Sequence, residues 1–573
     1  MAGIVSIRDG FWFPTPAAPR IKLKMTSGMG GPNPEVPASD NRTGLRAFRF
    51  GWTIFLLLAT SAPYLVYFYC APGDSRYTWI LPPYPEDAFG YMAWVKQAAL
   101  GHLLFQLKFT AVPHHAFLFH PFFLMAGWIS LLFGGNVGFT LFLLKGVGVV
   151  CFLLAFYKYA DYLGLNRFQS MTASILIGVA SGLGGLLVWA GLISPASQIS
   201  GDLWLVDMNT FWSLLWNPLF PYSLTLLLLA LFWLDRGSRD GRNSDFWRAG
   251  ITTGILALTH PYSQPLLFAF AVIITALRKK SSAPGYVLRF FAAAIPFVVY
   301  VGLVARLNPL IAQHNFAGEM SSPPPVAYLL GFGLPLLFCG VGAIVNREQL
   351  MKRCWPVILW FVLSVALAYF PFWFQRKLIF GAHVALCIVA AVSIDLILNR
   401  ISKSPEIRRR LTFAAAIISL PLLVATPVYL LASENREVRN NTDNAYYING
   451  DTMDGLIFLR RTNPGDVVFA TSETSRLIPG LAGNTVVWGH WAQSVDLTQR
   501  HNWITNLFNE RADWTDPNRA REFWGTNSIQ YIFADGAFKQ SIERDPRRWQ
   551  VILNDADAVF TNREVLIYRH RNK

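Results

Sequence analysis

Residues 51–70 read GWTIFLLLATSAPYLVYFYC, an uncharged run whose length matches the ~20 residues a helix needs to cross the hydrocarbon core of a bilayer. Arg46 and Arg49 precede it, and the next carboxylate pair downstream is Glu86-Asp87. Comparable apolar runs recur to about Leu431, after which the chain becomes polar. The composition agrees: 53% of the 573 residues are hydrophobic and only 14% charged, which excludes a disordered chain and an ordinary soluble domain. Forty-nine Lys and Arg against 34 Asp and Glu give +15, a balance that in a soluble protein would raise nucleic acid as a partner. In a membrane chain it has a simpler origin, because cytoplasmic loops collect Lys and Arg, so no nucleic acid is expected. The five cysteines (Cys70, Cys151, Cys339, Cys354, Cys387) are scattered and none lies in the polar C-terminal region, so neither a disulfide framework nor a CxxC metal site is present.

Residues 1–48 are rich in Pro, Gly and basic side chains without periodicity and read as a flexible cytoplasmic tail. With the N-terminus inside, the loop 71–136 lies outside. It carries Pro82, Pro83 and Pro85, then Glu86-Asp87, then a helical stretch over 88–105 in which Met92, Val95 and Ala99 share a face, the pattern of a helix lying on the membrane surface. The apolar segment 116–134 is expected to lie along the outer leaflet or only dip into it, because counting it as a span would put the basic loop from Arg236 to Arg248 outside. Spans follow at 137–158, 170–192 and 214–234. The stretch 250–277 is bounded by Arg248 and by Arg278-Lys279-Lys280, so both of its ends should be cytoplasmic. The Thr259-His260-Pro261-Tyr262 break resolves it into two short helices with an irregular turn at membrane depth, tolerable where that turn lines a cavity. Further spans near 285–306, 326–346, 355–372, 378–398 and 411–431 complete a polytopic α-helical membrane bundle over 49–432 with about eleven membrane helices. The C-terminus then lies outside, and 433–573 reads as an extracytoplasmic α/β domain, with strands at 466–471, 485–490 and 529–535 between helices at 452–461, 497–510 and 516–524. No repeat and no Walker, GxGxxG or HExxH motif appears.

This topology gathers a short set of polar residues on the outer side: Glu86, Asp87, His114, His115, His120, Asp202, Asp207, the His260 turn with Tyr262, His314, Glu319, Gln375, Arg376 and Lys377. Glu86-Asp87 is either a helix start, where carboxylates meet the positive end of the dipole, or a catalytic pair. Arg376 and Lys377 stand on the side where cations are disfavoured. They either touch lipid headgroups or hold an anionic phosphate, which arginine can grip with two parallel bonds. His114 and His115 are adjacent and lack a Cys partner, so they make no zinc motif. With Gln375, His260 and Tyr262 they are candidates for lining a cavity. Lys145 inside a span is expected to snorkel or to pair with a carboxylate, and Tyr91, Trp94 and Trp204 could stack on sugar rings. Glu86-Asp87 could instead hold a divalent cation, but hard cations need several oxygen ligands, and with no dense carboxylate set a metal is not favoured and no other cofactor is expected.

Four features together, EDAFGYMAWVKQA (86–98) just after the first span, His120-Pro121, the turn LTHPYS (258–263) and FQRKL (374–378), resemble the GT-C superfamily of polyprenyl-phosphate-dependent glycosyltransferases. The resemblance covers the membrane part. It implies that Asp87, with Glu86 beside it, corresponds to the acidic motif of the first outer loop, whose carboxylate acts as base or positions the acceptor. It further implies a polyprenyl-phosphate-linked sugar as donor, a lipid, glycan or protein as acceptor, and surrounding membrane lipids as partners. An outer C-terminal domain fits several members. The rival reading is a transporter or flippase for lipid-linked or anionic solutes, which would also use broken helices but for which inverted repeats are absent.

Overall fold

The computed structural model describes residues 38–307, 310, 320–441, 444–508, 517–526 and 528–571. Residues 1–37 of the expected tail, together with His314 and Glu319, lie outside the described residues. Met1–Gly44 forms one unit and Leu45–Lys573 another. The first helix, α1 (Ala38–Tyr69), starts ahead of the 49 boundary. The loop after α1 carries α2 (Pro85–Ala99) and α3 (Pro121–Ser130). Then come α4 (Val137–Tyr162), α5 (Arg167–Val179), α6 (Gly184–Trp189), α7 (Thr210–Leu215), α8 (Phe220–Asp240), α9 (Asn243–Thr259), α10 (Gln264–Lys279), α11 (Ala283–Leu307), α12 (Pro325–Leu367), α13 (Ala382–Ile401) and α14 (Pro405–Asn440). Among the described residues six stretches are long and apolar enough to cross a membrane, in α1, α4, α10–α11, α12, α13 and α14, which makes the chain an integral membrane protein. At 10 residues, about 15 Å, α3 is too short to span.

Three expected spans are built differently. The 170–192 run is not one helix: α5 stops at Val179 and the chain crosses to α6 through Ala180–Leu183. The freed backbone groups are taken up by other segments, Ser181 N donating to Leu423 O at 3.0 Å and Leu183 N to Leu330 O at 2.9 Å. Asp202 ties this break together, accepting from Gly184 N at 3.2 Å, Ser200 Oγ at 2.5 Å and Thr426 Oγ1 at 2.6 Å. Gly182 permits the crossing, since a Cβ there would stand 2.4 Å from Leu330 O. The expected spans 326–346 and 355–372 form α12, whose backbone leaves helical geometry at Gly333 (φ 50°) and Asn346 (φ −159°).

The 250–277 stretch divides as its charges require. α9 ends at Thr259, and α10 starts at Gln264 after a single turn over Pro261–Ser263. Both basic ends return to one place, with Arg278 on Asp235 at 2.5 Å, Arg236 on Asp245 at 2.6 Å and Lys279 Nζ donating to Arg239 O. Lys145 neither snorkels nor finds a carboxylate among the described residues. Its ammonium is fully buried, donates to Thr60 O close to Pro63 in α1, and lies 4.2 Å from the centre of the Tyr64 ring.

The C-terminal region holds a five-stranded sheet in the order β4-β3-β5-β7-β6. Its strands are β3 (Val467–Ala470), β4 (Thr485–Val486), β5 (Ile529–Ala534), β6 (Ala556–Thr561) and β7 (Leu566–His570). β3 runs parallel to β4 and β5, and β7 antiparallel to β5 and β6. The helices α15 (Gly450–Leu459), α16 (Ser472–Leu481), α17 (Leu497–Phe508), α18 (Pro517–Thr526), α19 (Gly536–Arg544) and α20 (Pro546–Leu553) surround it. A two-residue ladder between β1 (Arg76–Tyr77) and β2 (Tyr447–Ile448) ties this region to the loop after α1.

The position of α2 departs from the sequence reading of a surface-lying helix. Its residues Phe89, Met92, Ala93, Val95 and Ala98 are all buried, because α3 covers one side and α16 the other. Phe89, Met92 and Val95 share one apolar cluster with Leu477, Ile478 and Val486 of the C-terminal region. A Cβ on Gly480 would come within 2.8 Å of Met92 Cβ, so the two helices touch through a glycine.

Helix packing in the bundle uses the same device. Gly250 and Gly254 form a GxxxG pair on α9 facing α11, and Cβ atoms there would meet Phe290 O and the Phe297 ring, each at 2.4 Å. Gly250→Leu is therefore expected to cost about 1–3 kcal/mol, read as a lowered Tm of the detergent-purified protein, whereas Leu at the open Gly302 should leave Tm unchanged.

Candidate functional site

The sequence of α2 explains where its carboxylates stand. Pro85 occupies the first helical position, where a missing N–H costs nothing, which puts Glu86 and Asp87 in the first turn. That turn forms one wall of a cavity of about 360 Å³. The other walls come from the Trp204–Asp207 and Trp216–Phe220 stretches, the Thr259–Tyr262 turn, Arg376-Lys377, and the loop His490–Gln493 of the C-terminal region. Six of the sequence candidates, Glu86, Asp87, His260, Tyr262, Arg376 and Lys377, line it together.

Three candidates do not. His114 has both ring nitrogens engaged in shaping its own loop, Nε2 accepting from Leu107 N at 3.0 Å and Nδ1 lying 2.8 Å from Val112 O. His115 is exposed. Gln375 turns the other way, its Oε1 accepting from Ser322 N at 3.2 Å. Placement on one side of the membrane put these residues on the list, and being on one side does not make side chains converge: Gln375 and its neighbour Arg376 point in different directions.

The charges at the cavity sort themselves by partner. Lys377 Nζ lies 2.9 Å from Asp207 Oδ2, and Glu86 lies 3.6 Å from Arg476 of α16, so these four are paired across segments. Two remain. The Asp87 carboxylate and the Arg376 guanidinium form no ion pair with any described residue, and the buried Arg376 Nε has no acceptor among them, while the group lies 5.7 Å from the centre of the Trp204 ring. Burial pushes the Asp87 pKa above its ordinary value; Lys377 opposes this, Glu86 and Asp207 reinforce it, and Arg376 opposes it. This corrects the expectation from helix-end placement alone, because desolvation inside the cavity outweighs the dipole of the first turn.

His260 sits at the helix break, stacked on Phe380 at 4.3 Å with Nδ1 2.9 Å from Ser263 Oγ; its buried Nε2 has no partner among the described residues. Tyr262 packs against Trp373 and Phe374. The sequence reading missed the contribution of the C-terminal region. His490 Nδ1 accepts from Ala492 N and Gln493 N, which leaves the proton of the neutral ring on Nε2. That nitrogen faces Gly90, where a Cβ would stand 3.2 Å from it and 2.9 Å from Gln493 Nε2. Gly90 is thus the opening through which the loop reaches α2. No three His, Cys, Asp or Glu side chains among the described residues gather to hold a metal ion.

A second, apolar cavity of about 720 Å³ adjoins the first and shares Trp94, Thr259 and Tyr262 with it. It runs between Phe268 of α10, Val298 and Val301 of α11, and Phe372–Phe374, with His120 at its side. Burial lowers the His120 pKa to about 3, so that ring is neutral at physiological pH.

No family model and no curated protein matches the chain. Several solved structures are similar to it. ArnT from Cupriavidus metallidurans bound to undecaprenyl phosphate is 12% identical over 90% of this chain and 98% of its own, with a TM-score of 0.48. The archaeal oligosaccharyltransferase AglB from Archaeoglobus fulgidus, in complex with an inhibitory peptide and a dolichol-phosphate, is 12% identical over 88% and 71%, with a TM-score of 0.46. The arabinofuranosyltransferase AftD from Mycobacteria is 15% identical over 90% and 41%, with a TM-score of 0.43.

The raised Asp87 pKa has a stability consequence with a definite sign. The folded protein holds this proton more tightly than the unfolded chain, so stability falls as pH rises above the ordinary value of 3.8. Asp87→Asn is expected to raise Tm at pH 7, with the gain shrinking as the pH is lowered towards that value. A loss of Tm at pH 7 would mean that the dipole of the first turn outweighs desolvation.

Proposed function

We propose that the chain is a GT-C-type membrane glycosyltransferase that moves a sugar from a polyprenyl-phosphate donor to an acceptor hydroxyl. The observation that carries this reading is that the two unpaired charges, Asp87 and Arg376, face one polar cavity whose wall is shared with a large apolar cavity between helices. A lipid-linked sugar phosphate needs that combination: an apolar channel for the polyprenyl chain, a cation for the phosphate and a base beside the anomeric carbon.

In this reading Asp87 takes the proton of the acceptor hydroxyl as its oxygen attacks the anomeric carbon. The bond from that carbon to the phosphate oxygen breaks, and the polyprenyl phosphate leaves with the electron pair, its added charge held by Arg376. A single displacement inverts the anomeric centre. A raised pKa makes the ionised Asp87 a stronger base than an exposed carboxylate. Lys377, with Asp207 against it, contributes a compensated charge, and Glu86 fastens α2 to α16. Tyr91, Trp94 and Trp204 offer ring faces to the sugar. No divalent cation is assigned to the reaction.

Purified protein incubated with a panel of polyprenyl-phosphate sugars should release polyprenyl phosphate; binding without release would favour the transporter reading. In that assay Asp87→Asn is expected to lower turnover by a factor on the order of 10² to 10⁴ with donor binding retained, and Glu86→Gln to lower it less. Loss of a charge-assisted contact costs about 1.5–3 kcal/mol, so Arg376→Ala should weaken donor binding roughly ten- to a hundredfold, with only partial recovery in Arg376→Lys. Unchanged donor affinity in Arg376→Ala would reduce that residue to a lipid-headgroup contact.

We further infer the orientation: tail inside, eleven membrane helices counting both arms of the α9–α10 hairpin, and the domain 433–573 outside. In a background without native cysteines, a membrane-impermeant thiol reagent applied from outside should modify Asp496→Cys and spare Arg242→Cys. Labelling of both from one side would overturn this orientation.

A further inference from the structure

At the far end of the bundle from the candidate site lies a third cavity, of about 550 Å³. α8 connects the two, running from Phe220 at the first site to Asp235 and Arg239 at this one, about 22 Å along the helix. Four cations, Arg239, Arg278, Lys352 and Arg353, line it against a single carboxylate, Asp235. Asp240 stands just behind, 3.2 Å from Arg239 Nε, so the surroundings keep a clear positive excess.

The tendency of cytoplasmic loops to collect Lys and Arg accounts for cations at this level, but such side chains ordinarily extend into water. Here two are fixed on the walls of a concavity. Arg278 donates to Asp235 Oδ1, the Asp235 carbonyl and Ser238 Oγ at 2.5, 2.7 and 2.8 Å, and its guanidinium lies 4.6 Å from the Trp355 ring centre. Arg239 lies 4.2 Å from the Tyr162 ring centre. Lys352 and Arg353, one turn ahead of Trp355, are exposed and make no ion pair with any described residue. Two cations are therefore pre-positioned and two are free to close on an anion, an arrangement with little ordering cost on binding.

We propose that this cavity binds the phosphate of an anionic lipid headgroup from the leaflet at that end of the bundle. Phosphate suits the charge and the planar forks. A lipid source suits the position, since Tyr162 and Trp355 are the aromatic types that sit at headgroup level, and Leu163 and Pro356 add apolar lining for the glycerol region. The site is separate from the donor cavity and does not depend on the proposed reaction.

The test uses the full-length protein in detergent, with short-chain phosphatidylglycerol, phosphatidylcholine, inorganic phosphate or glycerol 3-phosphate added separately. Phosphatidylglycerol should raise Tm and remain bound in native mass spectrometry, and phosphatidylcholine should do neither. Lys352→Gln/Arg353→Gln, both exposed and expected to fold normally, should weaken phosphatidylglycerol retention about tenfold or more while polyprenyl-phosphate release by the enzyme stays at the wild-type rate. Equal retention of the two lipids, or undiminished phosphatidylglycerol retention in the double variant with an unchanged starting Tm, would overturn the site. Inorganic phosphate or glycerol 3-phosphate matching phosphatidylglycerol in the Tm shift at equal concentration would overturn the lipid source.

Discussion

A peptide group inside hydrocarbon has no water to bond, so wherever the chain leaves a helix within the bundle, another segment or a tight local turn must supply the missing partners. The rest of the molecule follows from how that demand is met. The crossing at Ala180–Leu183 is held by carbonyls of Leu330 and Leu423 and by the carboxylate of Asp202. The break at His260 is held by a turn over Pro261–Ser263 and by the Ser263 hydroxyl. Irregular backbone is expensive in this setting, and the second break stands against the wall of the polar cavity, which freed polar groups face.

The cavity also shows how charge is kept in so enclosed a place. Two of its carboxylates are balanced by cations from distant segments, Asp207 by Lys377 and Glu86 by Arg476. The third, Asp87, has cations nearby but none in contact among the described residues, and burial raises its pKa against their opposing pull. A group held in that state is a cost to stability, and proteins concentrate such costs where chemistry needs them.

Much of this was legible from residue types. The GWTIFLLLATSAPYLVYFYC run, the flanking basic loops and the Thr-His-Pro-Tyr break indicated a bundle with a split hairpin, because hydrophobic length and loop charge are local signals. The strands at 467–470 and 529–534 were legible for the same reason, whereas β6 and β7 were not, since β6 is exposed along much of its length and carries little apolar pattern. The break after Val179 was passed over: the glycines at 182, 184 and 185 lay inside an apolar run, and the partners that hold the break, Leu330 and Leu423, come from segments that no local pattern encodes. His490, Gln493 and Arg476 were invisible as site residues because their role exists only once α16 and the 490–493 loop have closed on α2, and Gly90 gave the one available clue, a glycine inside a helix that otherwise has no need of one.

The shared wall between α2 and the 490–493 loop also sets an order of events during synthesis. α2 leaves the ribosome early and the loop late, with nearly the whole bundle made between them. Until the sheet has folded and docked through Gly90 and Gly480, the pocket around Asp87 lacks one side and lies open to water. A nascent or truncated chain would thus be inserted in the membrane with every helix of the bundle in place and the pocket around Asp87 still incomplete.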